Sequence, residues 1–434
     1  MDIYIVQPGD DIYYISEKFG VTVTKLIRDN GLENPYDLVV GQAIVITYPK
    51  QTHTVQDGDT LTSIADAYGV TPMQLLRNNP YLNDQEFIYP GETIVISYNT
   101  NGKIETHAFT YPYINRAALR KALPNLTYLS IFNYRVTEEG DIIAYYDDTE
   151  IIQLTKAYRV APIMMATTLT PQGEPNLEAA YSVLLNEEYT ERFIDNMLTI
   201  MKAKGFYGIN IIFNFMTVTN QNLYVDLLYK VANRIGSEGY LLIITINYNI
   251  QNVDNELSFE QIDYSSFDPL VNDMVFLKLY WGKNSGPPSP IISIYESEVF
   301  LDYLVPLTSP DKIILGVPLI SYNWELPYIP GKSSASSLSL NSYISLANYV
   351  DATIQFDEVS QTPFFQYYQY SFDASVENIV WSIDARSIDA LLKLISEYGL
   401  KGIGLWNIMI YYPQIWLIIN SQFEIQNGLH DPNE

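Results

Sequence analysis

Apolar residues along most of this chain alternate between two spacings. Strand-like runs, mostly apolar, cover Ile104–Tyr111, Tyr128–Tyr134, Val160–Leu169, Gly205–Met216, Tyr240–Tyr248, Met274–Trp281, Lys312–Leu319 and Gly402–Ile408. Gly205–Met216, a short apolar run fed by a basic helical segment and a glycine, carries the signal of a buried parallel strand most clearly. Between them, Asn115–Leu123, Asp148–Tyr158, Thr190–Lys204, Gln221–Ser237 and Ile388–Tyr398 carry apolar residues at helical spacing. Eight runs with helical crossovers predict an α/β protein built on a (β/α)8 barrel of the TIM type, over 104–430. Between the last two runs, about 321–381 breaks this rhythm. A Gly/Ser-rich piece (Gly331–Ser337) precedes alternating segments around Ala352–Glu358 and Phe364–Tyr370. That pattern predicts a small α+β lobe forming one wall of a cleft.

The first hundred residues are organised differently, by repetition. Val6-Gln7-Pro8-Gly9-Asp10-Asp11-Ile12 returns as Val55-Gln56-Asp57-Gly58-Asp59-Thr60-Leu61, and Leu26 and Asn30 return as Leu75 and Asn79, all at an offset of 49. Ile44-Val45-Ile46 returns as Ile94-Val95-Ile96 at 50, so the second copy carries one extra residue in its late loop. An alternating segment, two capped helical segments and a second alternating segment make each copy a βααβ unit, at 1–49 and 50–99. Polar residues from Tyr98 to Lys103 connect the second unit to the barrel.

These repeats resemble the LysM module, which binds N-acetylglucosamine-containing glycans. The resemblance implies a shallow groove between the loop opening the first helix and the loop leaving the second. Those loops hold Gly9, Asp10, Asp11 and Ile12 with Asn30 and Leu32 in the first copy. In the second they hold Gly58, Asp59, Thr60 and Leu61 with Asn79, Pro80 and Tyr81. The same Asp and Thr residues also suit helix caps, and the Asn residues suit helix ends, so a structural role stands beside the binding one.

The fourth run of the barrel, Gly205-Phe-Tyr-Gly-Ile-Asn-Ile-Ile-Phe-Asn-Phe-Met216, resembles the fourth-strand signature of family 18 glycoside hydrolases, D-G-x-x-x-D-x-E. The resemblance extends to the LysM-containing spore-cortex N-acetylglucosaminidases. It is carried by Thr127 to Phe132, by Trp281-Gly282 with Gly286-Pro287-Pro288, and by Pro318, Trp324, Leu326, Pro327 and Tyr328. Asp384 to Ser387 and Gly402-Ile403-Gly404-Leu405-Trp406 complete it.

In that family the last Glu protonates the leaving oxygen, and the Asp two positions earlier orients the substrate's own acetamido group. The three acidic positions fall on Tyr207, Ile212 and Asn214, and no Asp or Glu occurs between Asp195 and Asp226. An amide has no proton to give. Other expected acidic or polar positions carry Leu279-Tyr280, Ile320, Asn323 and Ile383. The resemblance makes Trp406 the floor of a sugar subsite, with Tyr280, Trp281 and Trp324 as further cleft residues.

Composition narrows the partners. A net charge of −26 opposes nucleic acid and anionic lipid. Zero Cys and three scattered His give no basis for a thiolate or imidazole metal site, and no cofactor is implied. No apolar run is long enough to span a membrane, and the start lacks a secretory pattern. The 37 Tyr suit both sugar stacking and self-assembly.

The expected function is a non-catalytic binder of peptidoglycan or another N-acetylglucosamine glycan, in the spore cortex or coat or on the cell wall. One alternative is an active cortex-lytic glucosaminidase using a displaced acid, such as Asp226 or one from the insertion. Another is a structural coat or appendage subunit, with coat proteins or copies of itself as partners.

Overall fold

The computed structural model describes residues 1–84, 87–169, 176–248, 250–253, 256–278, 286–370 and 375–429. Eight parallel strands close the barrel: Lys103–Thr110, Tyr128–Val136, Ala161–Thr167, Gly208–Phe213, Leu241–Ile246, Asp273–Phe276, Ile313–Pro318 and Gly402–Trp406. The first pairs with both the second and the eighth, as in His107 with Tyr128 and Gly404 with His107. Every apolar run read as a barrel strand is one.

The fourth strand shows how helix and strand are joined. Helix Glu187–Lys204 has Glu187 and Glu188 in its first turn and Lys202 and Lys204 in its last, complementing the helix dipole at both ends. Gly205 stops it at φ +71, a left-handed conformation open to glycine. The chain then turns into the barrel wall. Ile209, Ile211 and Phe213 face the helical layer, sharing a core with Met197, Leu198, Leu227 and Leu228. Ile212 faces inward, packed with Met165, Ile243 and Trp406 in a second, interior cluster.

The stretch after the seventh strand forms the predicted lobe. Five antiparallel strands run in the order Ser336–Leu338, Ser321–Leu326, Ser375–Trp381, Thr362–Tyr370 and Gln355–Asp357, with helix Leu340–Tyr349 against them. Each N-terminal unit folds as βααβ. The first has Asp2–Ile5 paired with Ala43–Ile46 around helices Ile12–Phe19 and Val23–Asn30. The second has Gln51–Thr54 paired with Thr93–Ser97 around helices Leu61–Tyr68 and Pro72–Asn78. Among the described residues, no helix is long and apolar enough to cross a membrane.

Both units are bonded to the barrel. Arg77 donates to the carbonyls of Pro124 (2.7 Å) and Ile425 (3.1 Å). In the first unit the Val40 carbonyl accepts from Ile354 N at 2.9 Å, and Val39 joins a small core with Tyr343, Ala347, Phe365 and Val380 of the lobe.

Candidate functional site

The mouth of the barrel is aromatic where the family signature is acidic. Asn214 lies just beyond the fourth strand, two positions after the inward-facing Ile212, so the period of two brings it to the mouth. Both polar atoms of its amide are shielded from solvent and have no hydrogen-bond partner. Tyr207 precedes the strand at its other end, 43% exposed, with the Lys156 ammonium 5.7 Å from its ring centre. Seven residues of extended chain put it roughly 23 Å from Asn214. The structure therefore brings Ile212 and Asn214 together with Trp406 and leaves Tyr207 outside.

Trp406 ends the eighth strand with its ring over the barrel interior, 5.1 Å from Phe109 and 5.9 Å from Phe132. From Phe132 the rings continue outward to Tyr111 (5.1 Å), then Tyr113 (5.4 Å, stacked), then Tyr146 (5.3 Å). The last two rings are more than half exposed. Burial, then the neighbouring Tyr113, pushes Tyr111 up to about 12, so its hydroxyl remains protonated. This ladder offers apolar faces and hydroxyl tips, the chemistry that packs on a pyranose ring. Sequence reading missed Tyr111, Tyr113, Phe132 and Tyr146. The signal was the position of Tyr111 and Tyr113 just past the end of the first strand.

Beside Asn214 opens a cleft of about 390 Å³, walled by Phe215, Tyr181, Tyr248, Phe259 and Glu260 among others. Glu260 is the one acidic residue lining it among the described residues, and its carboxylate accepts from the Val218 amide at 3.1 Å. Asp226, considered from the sequence as a displaced acid, sits exposed on the outer helix Gln221–Gly236 and does not line the cleft. Tyr280 and Trp281 lie outside the described residues.

Trp324 corrects an expectation. It is fully buried, with its indole N–H donating to the Gly286 carbonyl at 3.1 Å, because its strand turns that face into the core beneath the lobe. It offers no ring to the cleft.

Below the mouth a set of buried polar side chains lies among the apolar residues of the barrel interior. Asn210 donates to Ser130 (3.1 Å) and accepts from Thr245 (2.9 Å), and Ser130 lies 2.7 Å from His107 Nε2. Burial, then Lys401, pushes His107 down to about 3, so its ring is neutral. Lys401 sits between Asp273 (2.5 Å) and Glu105 (3.2 Å), and burial raises Asp273 to about 6. These groups bond one another inside the wall, but His107 Nδ1 and Asp273 Oδ2 are buried there without a hydrogen-bond partner.

In the N-terminal units the opening loops are exposed turns built alike. Asp10 accepts from Gln7 N and Tyr4, and Asp59 from Gln56 N while also meeting His53, all within 2.8 Å. The Gln56 amide, then His53, holds Asp59 below the usual carboxylate range. Asp11 and Thr60 cap the first helices, accepting from Tyr14 N and Ser63 N. Gly9 and Gly58 both take φ +88 with open space around them. Ile12 is fully buried, whereas Leu61 and Pro80 are partly exposed.

Asn30 and Asn79 are buried, and each pins its second helix to the last strand of its unit. Asn30 bonds Leu26 O, Val45 O and Val45 N; Asn79 bonds Leu75 O, Val95 O and Val95 N. Their amides are committed inside the fold.

The Glycosyl hydrolases family 18 model matches residues 113–409, and the LysM domain model matches 4–47 and 53–97. The cortical fragment-lytic enzyme of Bacillus subtilis is 32% identical over 98% of this chain and 99% of its own. That of Bacillus anthracis is 30% identical over the same shares. The crystal structure of the Bacillus cereus spore cortex-lytic enzyme SleL covers 98% of this chain and 99% of its own, with a TM-score of 0.78 at 27% identity.

Proposed function

For a chain that belongs to family 18 of the glycosyl hydrolases and carries two LysM domains, we propose a non-catalytic role: binding peptidoglycan or a related N-acetylglucosamine glycan in the spore envelope. The observation that carries this reading is the pair at the mouth. Ile212 packs into the apolar barrel interior and Asn214 presents an amide, so neither position supplies a proton donor to a glycosidic oxygen. What remains suits binding: Trp406, the ring ladder ending at Tyr113 and Tyr146, and the exposed turns at Gly9–Asp11 and Gly58–Thr60. The similar cortex-lytic enzymes of Bacillus support the spore cortex as the place where such a glycan is met.

Two measurements on the same purified chain test it: sedimentation with intact spore peptidoglycan, and release of reducing ends from that material. Sedimentation without release is the expected result. Release above a boiled control would overturn it.

One observation favours a second reading. Glu260 lines the cleft next to Asn214, so an active enzyme would draw its acid from there. Release that disappears in Glu260→Gln, with peptidoglycan binding retained, would establish that reading in place of the first.

A further inference from the structure

The second barrel strand ends in a cation with no partner of its own. Arg135 is part-exposed near the end of Tyr128–Val136, and its guanidinium makes no hydrogen bond or ion pair among the described residues. Its Nε is shielded from solvent and unbonded, while the two Nη groups stay open. By contrast, Lys278 beyond the sixth strand holds Glu296 at 3.2 Å, and Arg116 holds Glu150 at 3.0 Å.

Strand register places Arg135 at the mouth. The strand bulges between Phe132 and Tyr134, after which Tyr134 pairs with Ala166 and Arg135 with Thr167. Met165 faces the barrel interior and Ala166 the helical layer, so Thr167 faces inward again, and Arg135 with it. Met165 is level with Asn210 on the fourth strand, so Thr167, two residues on, is level with Ile212. Arg135 therefore stands in the row of Ile212, two strands or roughly 10 Å away. On its own strand it is the next inward position after Phe132, which belongs to the ring ladder.

A guanidinium stays charged at any working pH and, half-shielded, favours a counter-ion that accepts its hydrogen bonds. Ile212 and Asn214 bring no carboxylate to balance it, so the counter-charge falls to a ligand. The rings beside it suit a ligand with a pyranose face, and the net charge of −26 opposes a dense polyanion. A saccharide bearing isolated carboxylates satisfies both. We propose that Arg135 receives a carboxylate carried by the bound glycan, on the lactyl ether of a muramyl residue or on a peptide joined to it, through paired Nη–H···O bonds. This role rests on the glycan-binding reading and narrows it: the mouth selects acidic peptidoglycan chains over neutral chitin-type chains.

All five Trp lie beyond the LysM units, so tryptophan fluorescence reads the barrel. The full chain, Arg135→Gln and Arg135→Lys are titrated with three oligomers: neutral chitotetraose, the peptide-free tetrasaccharide of alternating N-acetylglucosamine and N-acetylmuramic acid, and its peptide-bearing form. Sedimentation with spore peptidoglycan runs alongside. At least one acidic oligomer should bind the parent roughly tenfold more tightly than chitotetraose. That ratio should fall to about one in Arg135→Gln and return in part in Arg135→Lys, which keeps the charge but not the planar fork. The favoured oligomer shows which carboxylate is held. Because Arg135 holds no bond within the fold, both variants should melt with the parent. No preference in the parent, the same preference in Arg135→Gln, or no fluorescence response to any oligomer while the chain still sediments would overturn the role of Arg135 and leave the glycan-binding reading standing. Loss of both the response and sedimentation would sink the two together.

Discussion

Gln414, on the last helix of the barrel, donates at 2.9 Å to the side-chain oxygen of Asn30, the residue that locks the first LysM unit together. The same amide nitrogen also reaches the Ala43 carbonyl at 2.9 Å, so one barrel side chain closes the helix end and strand start of the unit. The fold of the unit and its docking thus share an atom. Gln414→Ala should lower the stability of the full chain by about 1–2 kcal/mol, the cost of two hydrogen bonds at a part-buried seam. Urea unfolding would measure it. Faster amide exchange in 22–46, with unchanged exchange in the barrel strands, would locate the loss.

In the second unit, Asn79 makes the corresponding three bonds, with no barrel partner among the described residues. Asn79→Ala takes the side-chain partner from Val95 N and Val95 O in a buried place, while Leu75 O keeps the backbone N–H of residue 79, a cost of about 2–4 kcal/mol. Thermal melting of the full chain should show an early loss of the second unit. If melting is unchanged, the claim that this amide is structural fails.

The same two asparagines show where sequence reading reaches and where it stops. Their recurrence at matching positions was visible, but the role was not, because the partners are backbone groups 15 and 16 residues away. All eight barrel strands were legible, since each is covered on both faces and so is mostly apolar, with few polar positions. Helix Pro413–Gln422 was not. Its sequence, PQIWLIINSQ, has little helical period because the barrel buries one side while Gly31 and Asn30 of the first unit cover the other. Trp324, expected at the cleft, is buried: the lobe was legible as a segment, but which face of its strand Ser321–Leu326 turns to the core depends on packing that no local pattern carries.

His107 predicts a pH dependence. Its folded value, about 3, lies below the ordinary value of 6.5, so the unfolded chain takes up the proton first. Stability from this group is complete above about 6.5 and is lost as pH falls toward 3. His107→Gln removes that linkage. The melting temperature of the variant minus that of the parent should therefore rise steadily from pH 7 to pH 4, a difference in which the opposite contribution of Asp273 cancels. A flat difference would show that the ring is not buried in its neutral form.

The last prediction concerns the missing carboxyls. Asn214 has an amide with no partner at the edge of a cleft, so Asn214→Glu puts a carboxyl one methylene farther out without breaking a hydrogen bond. Its apolar neighbours Phe215 and Ile212 would penalise the charged form and raise the new carboxyl's pKa, as a general acid requires. Ile212→Asp is different: it puts a carboxylate among Met165, Ile243 and Trp406, and alone should cost about 2–4 kcal/mol. Asn214→Glu alone should stay folded and gain at most a trace of activity, because nothing orients the substrate's acetamido group. The double substitution should release reducing ends from spore peptidoglycan above the parent level, with an acid-side optimum, at the price of a lower melting temperature. If the double variant folds, sediments with peptidoglycan and still releases nothing, then more than the two carboxyls separates this barrel from a working hydrolase, and Ile320, Asn323 and Ile383 become the next positions to restore.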